Sequence, residues 1–161
     1  MICIYILCFL WKDVCGDYII TTIAGTGIGY SGDGGAATSA QLYFSGGVAL
    51  DSSGNVYTAD TFNHGIRVID AISGNISTIA GTGGGGYSSD GGAATSAQLY
   101  YPAGVALDSS GNVYIADQSN HRIRKLTPTC AAGQYWRGFP PCLPCPGGTH
   151  SLKKAKHSRS T

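Results

Sequence analysis

Two histidines at equivalent places in the chain are the side chains best suited to acid–base or metal chemistry. His64 follows Asp60 by four residues, and His121 follows Asp117 by the same interval. An imidazole close to a carboxylate is the arrangement of a general base, or of a metal ligand with its supporting group. Such chemistry is therefore the first hypothesis for these residues.

Repetition favours a structural role instead. A residue that chemistry needs once has no reason to recur in each copy, whereas a residue that shapes a turn must recur. The pattern Asp-x-x-Asn-His is well suited to close a turn between two strands. We therefore predict two equivalent structural turns, and no catalytic residue, metal ligand or cofactor. The turn residues are Asp60, Asn63, His64, Asp117, Asn120 and His121.

A glycine pattern also has the form of a dinucleotide-binding motif. Gly81, Gly83 and Gly86 satisfy G-x-G-x-x-G after an apolar stretch, but no helical pattern follows them. The other copy of the sequence has Tyr30 where the third glycine is expected. The pattern is therefore interpreted as a turn, because a nucleotide site of this kind needs the helix.

These residues belong to a unit that occurs twice. Residues 33–60 and 90–117 are identical at 24 of 28 positions, with an offset of 57. Upstream, TIAGTG at 22–27 returns at 78–83 with an offset of 56, so one residue is gained between the two matches. The chain thus consists largely of two tandem repeats.

Composition favours short strands in each unit. The chain holds 25 Gly, one Met and no Glu, together with many Val, Ile, Thr and Tyr. This mixture disfavours long helices and suits strands that are separated by tight turns. An all-β fold is predicted.

Each unit carries the signals of antiparallel strands. GVALD and then VYTAD or VYIAD flank the turn sequence SSGN, which predicts a hairpin. A third strand with an apolar residue at every second position follows, and NISTIAG is a fourth. Four short antiparallel strands form a propeller blade. The third strands are predicted at 65–70 and 121–126, the fourth at 75–81, and an equivalent of the fourth at 17–25.

The sequence GVALDSSGNVYIADQSNHRIRKL in the second copy resembles the NHL repeat. The longer unit, with AGTG and GDGGAAT, is similar to the NHL blades of teneurin-like extracellular propellers. The resemblance covers about residues 17–128. It implies a partial β-propeller of two four-stranded antiparallel NHL blades, at about 17–81 and 82–128.

The most similar stretches of the two copies, 30–42 and 87–99, are predicted to connect one blade to the next. Their Asp-Gly-Gly sequences are typical of turns. Alanines between 36 and 40 favour one helical turn, with Asp33 near its start as an N-cap.

Two blades are too few for a closed ring, because closed propellers have about 4 to 8 blades. The simplest interpretation is that the chain is a fragment of a longer propeller. We expect residues 17–128 alone to self-associate, unfold in part or be poorly soluble, since each outer blade face lacks a neighbour. Further blades or self-association are therefore needed.

The first sixteen residues contain an apolar run, from Ile2 to Trp11. The run is too short to span a bilayer. It fits a signal peptide over residues 1–16, although no basic residue precedes it, and a fragment of a larger protein is the alternative.

Residues 129–150 form a cysteine-rich segment. Cys-x-x-Gly-x-Tyr followed by Cys-x-x-Cys-Pro-x-Gly-Thr resembles the ephrin-receptor-like repeats of extracellular proteins, and a small disulfide module is favoured. Zinc at Cys142 and Cys145 is the alternative, but no second ligand pair follows. With this resemblance we expect Cys130 to pair with Cys142, leaving Cys145 without the downstream partner that the resemblance implies.

Charge argues against a nucleic-acid partner. Residues 17–128 hold eight Asp against four Arg or Lys, a balance of minus four, so the predicted blades have no basic face. The basic tail at 151–161 is interpreted as a solvated end.

Two functions of different classes remain. The first is a non-catalytic scaffold for a protein or glycan partner, extracellular or at the cell surface, with Asn75 in Asn-Ile-Ser as a glycosylation site. The second is part of a hydrolase or lyase that resembles gluconolactonase or the peptide-amidating lyase. Such an enzyme needs ligands from several different blades, which two nearly identical blades do not display.

Overall fold

The computed structural model of the protein describes residues 18–88, 90–129, 134–135 and 143–144. The predicted signal peptide, the three cysteines of the cysteine-rich segment and the basic tail lie outside these residues.

The first blade is a four-stranded antiparallel sheet, as predicted. Its strands are adjacent in chain order, β1-β2-β3-β4. The strands are β1 (Ser45–Leu50), β2 (Val56–Asp60), β3 (Gly65–Ile69) and β4 (Ile76–Ala80).

A carboxylate closes the hairpin between β1 and β2. Asp51 Oδ1 accepts hydrogen bonds from the backbone N–H groups of Ser53 and Asn55, at 2.8 and 3.0 Å. Its Oδ2 accepts from Asn55 Nδ2 at 2.7 Å. Asp108 and Asn112 form the same contacts in the second copy. The sequence D-S-S-G-N therefore specifies both hairpins, since it supplies its own acceptors to the turn.

Within the part of the chain that the structure describes, the second blade has three strands, where four were predicted. These are β5 (Pro102–Leu107), β6 (Val113–Asp117) and β7 (Arg122–Leu126), in the order β5-β6-β7. The residues after Leu126 do not repeat NISTIAG, so the sequence that forms β4 has no counterpart there. Two short strands, β8 (Gln134–Tyr135) and β9 (Leu143–Pro144), pair separately.

The strand predicted at 17–25 is also absent from the described part of that range. Residues 18–25 have no strand assignment, and the side chains of Tyr18, Ile19 and Ile20 are 88% exposed or more. A strand needs a partner, and the described chain has no preceding blade to provide one.

The main core lies between the two blades. Tyr57 of β2 and Val113 of β6 are buried in it. Val48 and Leu50 of β1 are instead 64% and 63% exposed, because they face away from the second blade. The core residues are Tyr57, Ala59, Ile66, Val68, Ala80, Leu99, Val113 and Ile115.

Small residues bring the innermost strands of the two blades together. A Cβ atom on Gly46 of β1 would lie 2.5 Å from the carbonyl oxygen of Ala103 in β5. One on Gly47 would lie 3.2 Å from the Cα atom of Gly104. Any side chain at Gly46 would therefore force the blades apart.

Each connector contains the predicted helical turn, a 3₁₀ turn at Ala37–Ser39 or Ala94–Ser96. The predicted cap is wrong, because the turn at Ala37–Ser39 has no side-chain cap. The carboxylate of Asp33 instead contacts Arg67 at 2.8 Å and Thr78 at 3.1 Å. A buried cation attracts the carboxylate more strongly than a short turn does.

The two sheets are therefore two blades of a partial β-propeller, with an all-β fold. Within the described residues, no helix is long and apolar enough to cross a membrane.

Candidate functional site

The turn between β2 and β3 holds the first group of predicted site residues. The Asp60 side chain, which is fully buried, accepts hydrogen bonds from Tyr43 N at 2.7 Å and from Asn63 Nδ2 at 2.9 Å. Asn63 Nδ2 also donates to the Gly29 carbonyl at 2.7 Å. Asp60 and Asn63 thus tie the connector to the turn.

The equivalent turn of the second blade has the same geometry. Asp117 accepts from Tyr100 N at 2.8 Å and from Asn120 Nδ2 at 2.8 Å. Asn120 donates to the Gly86 carbonyl at 2.7 Å.

A buried arginine completes the first turn, and sequence reasoning did not identify it. Arg67 NH1 lies 3.1 Å from Asp60 Oδ2, and its NH2 lies 2.8 Å from Asp33 Oδ1 and 3.0 Å from the Ser31 carbonyl oxygen. The arginine side chain is fully buried. The sequence did contain a signal for this arginine. Asp33, Asp60 and Arg67 have the same spacing as Asp90, Asp117 and Arg124 in the second copy.

The arrangement leaves Asp60 no role as a partner of His64. Both carboxylate oxygens already accept hydrogen bonds, from a backbone amide, an asparagine and an arginine. His64 follows the turn with a left-handed backbone, φ 52°, and His121 does the same with φ 55°. A left-handed backbone at a residue other than glycine is typical of a tight turn.

His64 contacts the other blade instead. Its Nδ1 accepts a hydrogen bond from Tyr101 N at 3.2 Å. Desolvation by burial lowers the pKa of the imidazole, and the negative charge of Asp117 opposes this shift. The neutral form, which alone can accept that hydrogen bond, is therefore favoured.

The glycine-rich stretch at 81–86 is a loop that runs from β4 into the connector, with no helix after it. Gly86 is equivalent in structure to Gly29, since φ is 157° and 147° and both carbonyls accept from an asparagine. The match of Gly86 to Tyr30 is therefore wrong by one residue. No phosphate-binding helix N-terminus exists at this point.

The described residues contain no group of three or more His, Cys, Asp or Glu side chains able to hold an ion. Asn75, the glycosylation candidate, lies half-buried just before β4. Its own carbonyl accepts from Asp70 N at 2.9 Å.

An aromatic surface covers the same end of both blades. Tyr43 stacks on Phe62 with 4.8 Å between ring centroids, and Phe44 and Tyr101 meet Phe62 edge to face at 5.3 and 5.2 Å. Tyr100 and Tyr101 lie 4.8 Å apart. The aromatic surface consists of Tyr43, Phe44, Phe62, Tyr100 and Tyr101.

The aromatic surface is open to solvent. Phe44 is 70% exposed, and Tyr43, Phe62 and Tyr100 are 40% or 41% exposed. Phe44 and Tyr101 have positive φ angles, 59° and 50°, a conformation that costs about 1–3 kcal/mol in a bulky residue and persists at sites where the surroundings impose it. Their position after another aromatic residue in both copies was the available sequence signal.

Comparison with known proteins agrees with this architecture. The family model described as the NHL repeat matches residues 99–126. The chain is therefore similar to the NHL repeat over these residues. The matched residues include β5, β6, β7 and the turn with Asp117 and His121.

Two relatives are similar to the chain over a longer stretch. The protein SUPPRESSOR OF QUENCHING 1, chloroplastic, of Arabidopsis thaliana is 36% identical over 80 residues, which are 50% of this chain and 7% of that protein. NHL repeat-containing protein 2 of Bos taurus is 35% identical over 94 residues, 57% of this chain and 13% of that protein. The chain thus matches a small part of either relative.

Solved structures resemble the fold. A structural genomics protein of unknown function from Bacteroides thetaiotaomicron gives a TM-score of 0.53 at 28% identity, over 56% of this chain and 22% of that one. An auxiliary nutrient binding protein from Bacteroides ovatus gives 0.51 at 26% identity, over 70% and 27%.

Proposed function

We propose that the chain is a non-catalytic interaction scaffold whose aromatic surface binds a protein or glycan partner. The observation that carries the proposal is the stacked, solvent-exposed ring cluster around Phe62. Aromatic side chains bring a large contact area at low entropic cost and are enriched where proteins bind one another. Their faces also suit the apolar faces of sugar rings.

The polar groups beneath the rings support a non-catalytic role. The carboxylates and arginines of the β2–β3 and β6–β7 turns are engaged in mutual ion pairs and backbone hydrogen bonds. A general base or a metal ligand needs a free lone pair, and these carboxylates use theirs to hold the aromatic residues in place.

We further propose an extracellular setting of the teneurin-like kind, with the cysteine-rich segment as an ephrin-receptor-like disulfide module. The resemblance of the AGTG and GDGGAAT unit to extracellular NHL blades supports this setting.

The binding proposal is tested with the full chain on a glycan array and by crosslinking to surface proteins of intact cells. We expect binding that Phe62→Ala reduces about tenfold or more, because central aromatic anchors dominate interfaces. Ile72→Ala is the matched control, since Ile72 is also exposed, at 94%, but lies in the β3–β4 turn. Equal binding by both variants, or no binding by the wild type, contradicts the proposal.

The non-catalytic part has a separate test. Lactone substrates and substrates of the peptide-amidating lyase are incubated with the full chain, and no turnover above the buffer rate is expected. Turnover of either substrate above that rate by the purified chain would favour the enzyme alternative.

The extracellular setting is tested by expression in a eukaryotic cell. We expect protein recovered from the medium to carry a glycan at Asn75, and mapping to find Cys130 bonded to Cys142. An unmodified Asn75, or a bond between Cys142 and Cys145, contradicts these expectations.

A further inference from the structure

Among the described residues, the second blade has an open groove beside β7. The groove has a volume of about 510 Å³ and lies between β7 on one side and connector residues 90–94 on the other. In the first blade, the equivalent space between β3 and the connector is filled by β4.

Strand β4 shows what such a groove accepts. On one side it pairs with β3, with Ile76 opposite Ile69 and Thr78 opposite Arg67. On the other side the connector holds Ile76, because Gly34 N donates to its carbonyl at 2.8 Å and its N–H donates to Gly35 O at 2.9 Å. The groove therefore accepts an extended strand with hydrogen-bond partners on both edges.

A segment of this chain has the matching sequence and no partner strand among the described residues. Residues 20–25, ITTIAG, repeat residues 76–81, ISTIAG, with one conservative exchange. Ile20 is 97% exposed, whereas its equivalent Ile76 is fully buried.

The segment leads into the first connector in the same way that β4 leads into the second connector. Gly25 N donates to the Ala37 carbonyl at 3.0 Å, and Gly81 N donates to the Ala94 carbonyl at 3.1 Å. Both glycines have the same backbone conformation, with φ 94° and 96°. The segment is thus anchored as the fourth strand of a blade that would precede the first.

We propose that residues 20–24 of one copy fill the groove of a second copy and complete its second blade as the fourth strand. Transferring the register of β4 places Ile20 opposite Leu126, Thr22 opposite Arg124 and Ala24 opposite Ile123. The partner is a second copy because, by the repeat, the segment and β7 lie on opposite ends of the two-blade unit.

A polar contact makes the fit specific. In the first blade, Thr78 Oγ1 donates to Asp33 Oδ1, which is paired with Arg67. In the second blade, Asp90 is already paired with Arg124 at 2.8 Å and is 64% exposed. Thr22 of the incoming strand, the equivalent of Thr78, donates to this carboxylate.

The apolar ends of the unit complement each other in the same way. Val105 and Leu107 of β5 pack against the core between the two blades, whereas their equivalents on β1, Val48 and Leu50, are exposed. On the opposite end, Ile123 is 72% exposed and its equivalent Ile66 is fully buried. The contact between copies thus repeats the contact between blades.

This association is head-to-tail, so it forms a ring when the rotation closes. Two to four copies give the roughly 4 to 8 blades of closed propellers.

The first test is sedimentation velocity of the full chain from about 1 to 100 µM. We expect an oligomer for the wild type and a dissociation constant raised about tenfold or more by Ile20→Lys, because one isoleucine loses its burial. Ile72→Lys, an equally exposed isoleucine, keeps the wild-type oligomer. A monomeric wild type, or identical behaviour of the two variants, overturns the proposal.

The second test separates strand exchange from loss of folding. A labelled peptide of residues 18–25 is titrated into full-length Ile20→Lys protein, whose groove is free, and fluorescence anisotropy is read. We expect saturable binding, and at least about tenfold weaker binding of the peptide that itself carries Ile20→Lys. No binding of either peptide to protein with a native circular dichroism spectrum overturns the proposal, as does equal binding of both.

Discussion

At the scale of single residues, Arg67 joins the strands of the first blade to its connector. Its guanidinium connects the buried Asp60 of the strand end to Asp33 of the connector. The same set in the second blade is looser, because the Arg124 side chain is 10% exposed and Asp90 is 64% exposed. The same sequence pattern therefore forms a buried ion-pair set in the first blade and a more exposed set in the second.

Replacing Arg67 by Met should lower the free energy of unfolding by about 3–5 kcal/mol, since it leaves the Asp60 carboxylate buried without a cation. Arg124→Met is the matched control and should cost less, because solvent reaches its site. Urea unfolding of both variants gives the comparison. An equal or larger loss for Arg124→Met would contradict the role assigned to burial.

His64 gives the protein a pH dependence. Its pKa is lowered in the folded state, so the folded protein binds fewer protons than the unfolded chain. The stabilisation is complete above the unfolded pKa, about 6.5, and is lost as pH falls through the lower folded value. We expect stability to decrease from pH 7.5 to 5.5 and His64→Gln to flatten this decrease.

His121→Gln is the control for this pH dependence, because His121 occupies the equivalent position in the second blade and is exposed. Unfolding free energies from urea titrations at each pH measure both slopes. The pKa values of Asp70, Asp90 and Asp108 are lowered from their usual value of 3.8, so these carboxylates do not titrate between pH 7.5 and 5.5. Equal slopes for wild type and His64→Gln would refute the assignment.

At the scale of elements, the hairpins and turns were predictable because their residues make local hydrogen bonds. The sequence D-S-S-G-N brings its own acceptors, and Asp60 and Asn63 contact each other within three residues. The cap by Asp33 was not predictable from local sequence, since its partner Arg67 lies 34 residues away. The aromatic surface was missed for the same reason, because it joins residues of both copies.

The contact between β1 and β5 offers a test at this scale. Gly46→Ala should lower the free energy of unfolding by about 1–3 kcal/mol, because its Cβ would lie 2.5 Å from the Ala103 oxygen. Gly104→Ala should be neutral or slightly stabilising, because no atom lies within 4 Å of its Cβ position. Thermal unfolding compares the two, and a larger loss for Gly104→Ala would be inconsistent with this packing.

At the scale of the whole molecule, the two blades have one shared core and two open ends. The four-strand pattern was predicted correctly for the first blade. Four strands were also predicted for the second blade, where the described residues form three. A repeat pattern identifies units that resemble each other, and it does not show which chain segment supplies a unit's last strand. That depends on contacts outside the unit.

The open end at β1 predicts a difference between equivalent valines. Val48→Lys should weaken self-association while changing the free energy of unfolding by less than about 0.5 kcal/mol, because Val48 is 64% exposed. Val105→Lys should cost about 2–3 kcal/mol, since Val105 packs against the core between the blades. Chemical unfolding and sedimentation measure the two quantities, and a destabilising Val48→Lys would argue against a free face.

The glycine contact between β1 and β5 also sets a geometry. Both are edge strands, and their backbones nearly touch, whereas Tyr57, Leu99 and Ile115 fill the space between the sheets further out. The pair of blades is therefore a wedge, narrow at the glycines and wide at the core. Each added wedge turns the next by an angle of the same sign, so the curvature of an assembly is fixed by side-chain volume. Larger residues in this core would widen the wedge and reduce the number of blades that completes a circle.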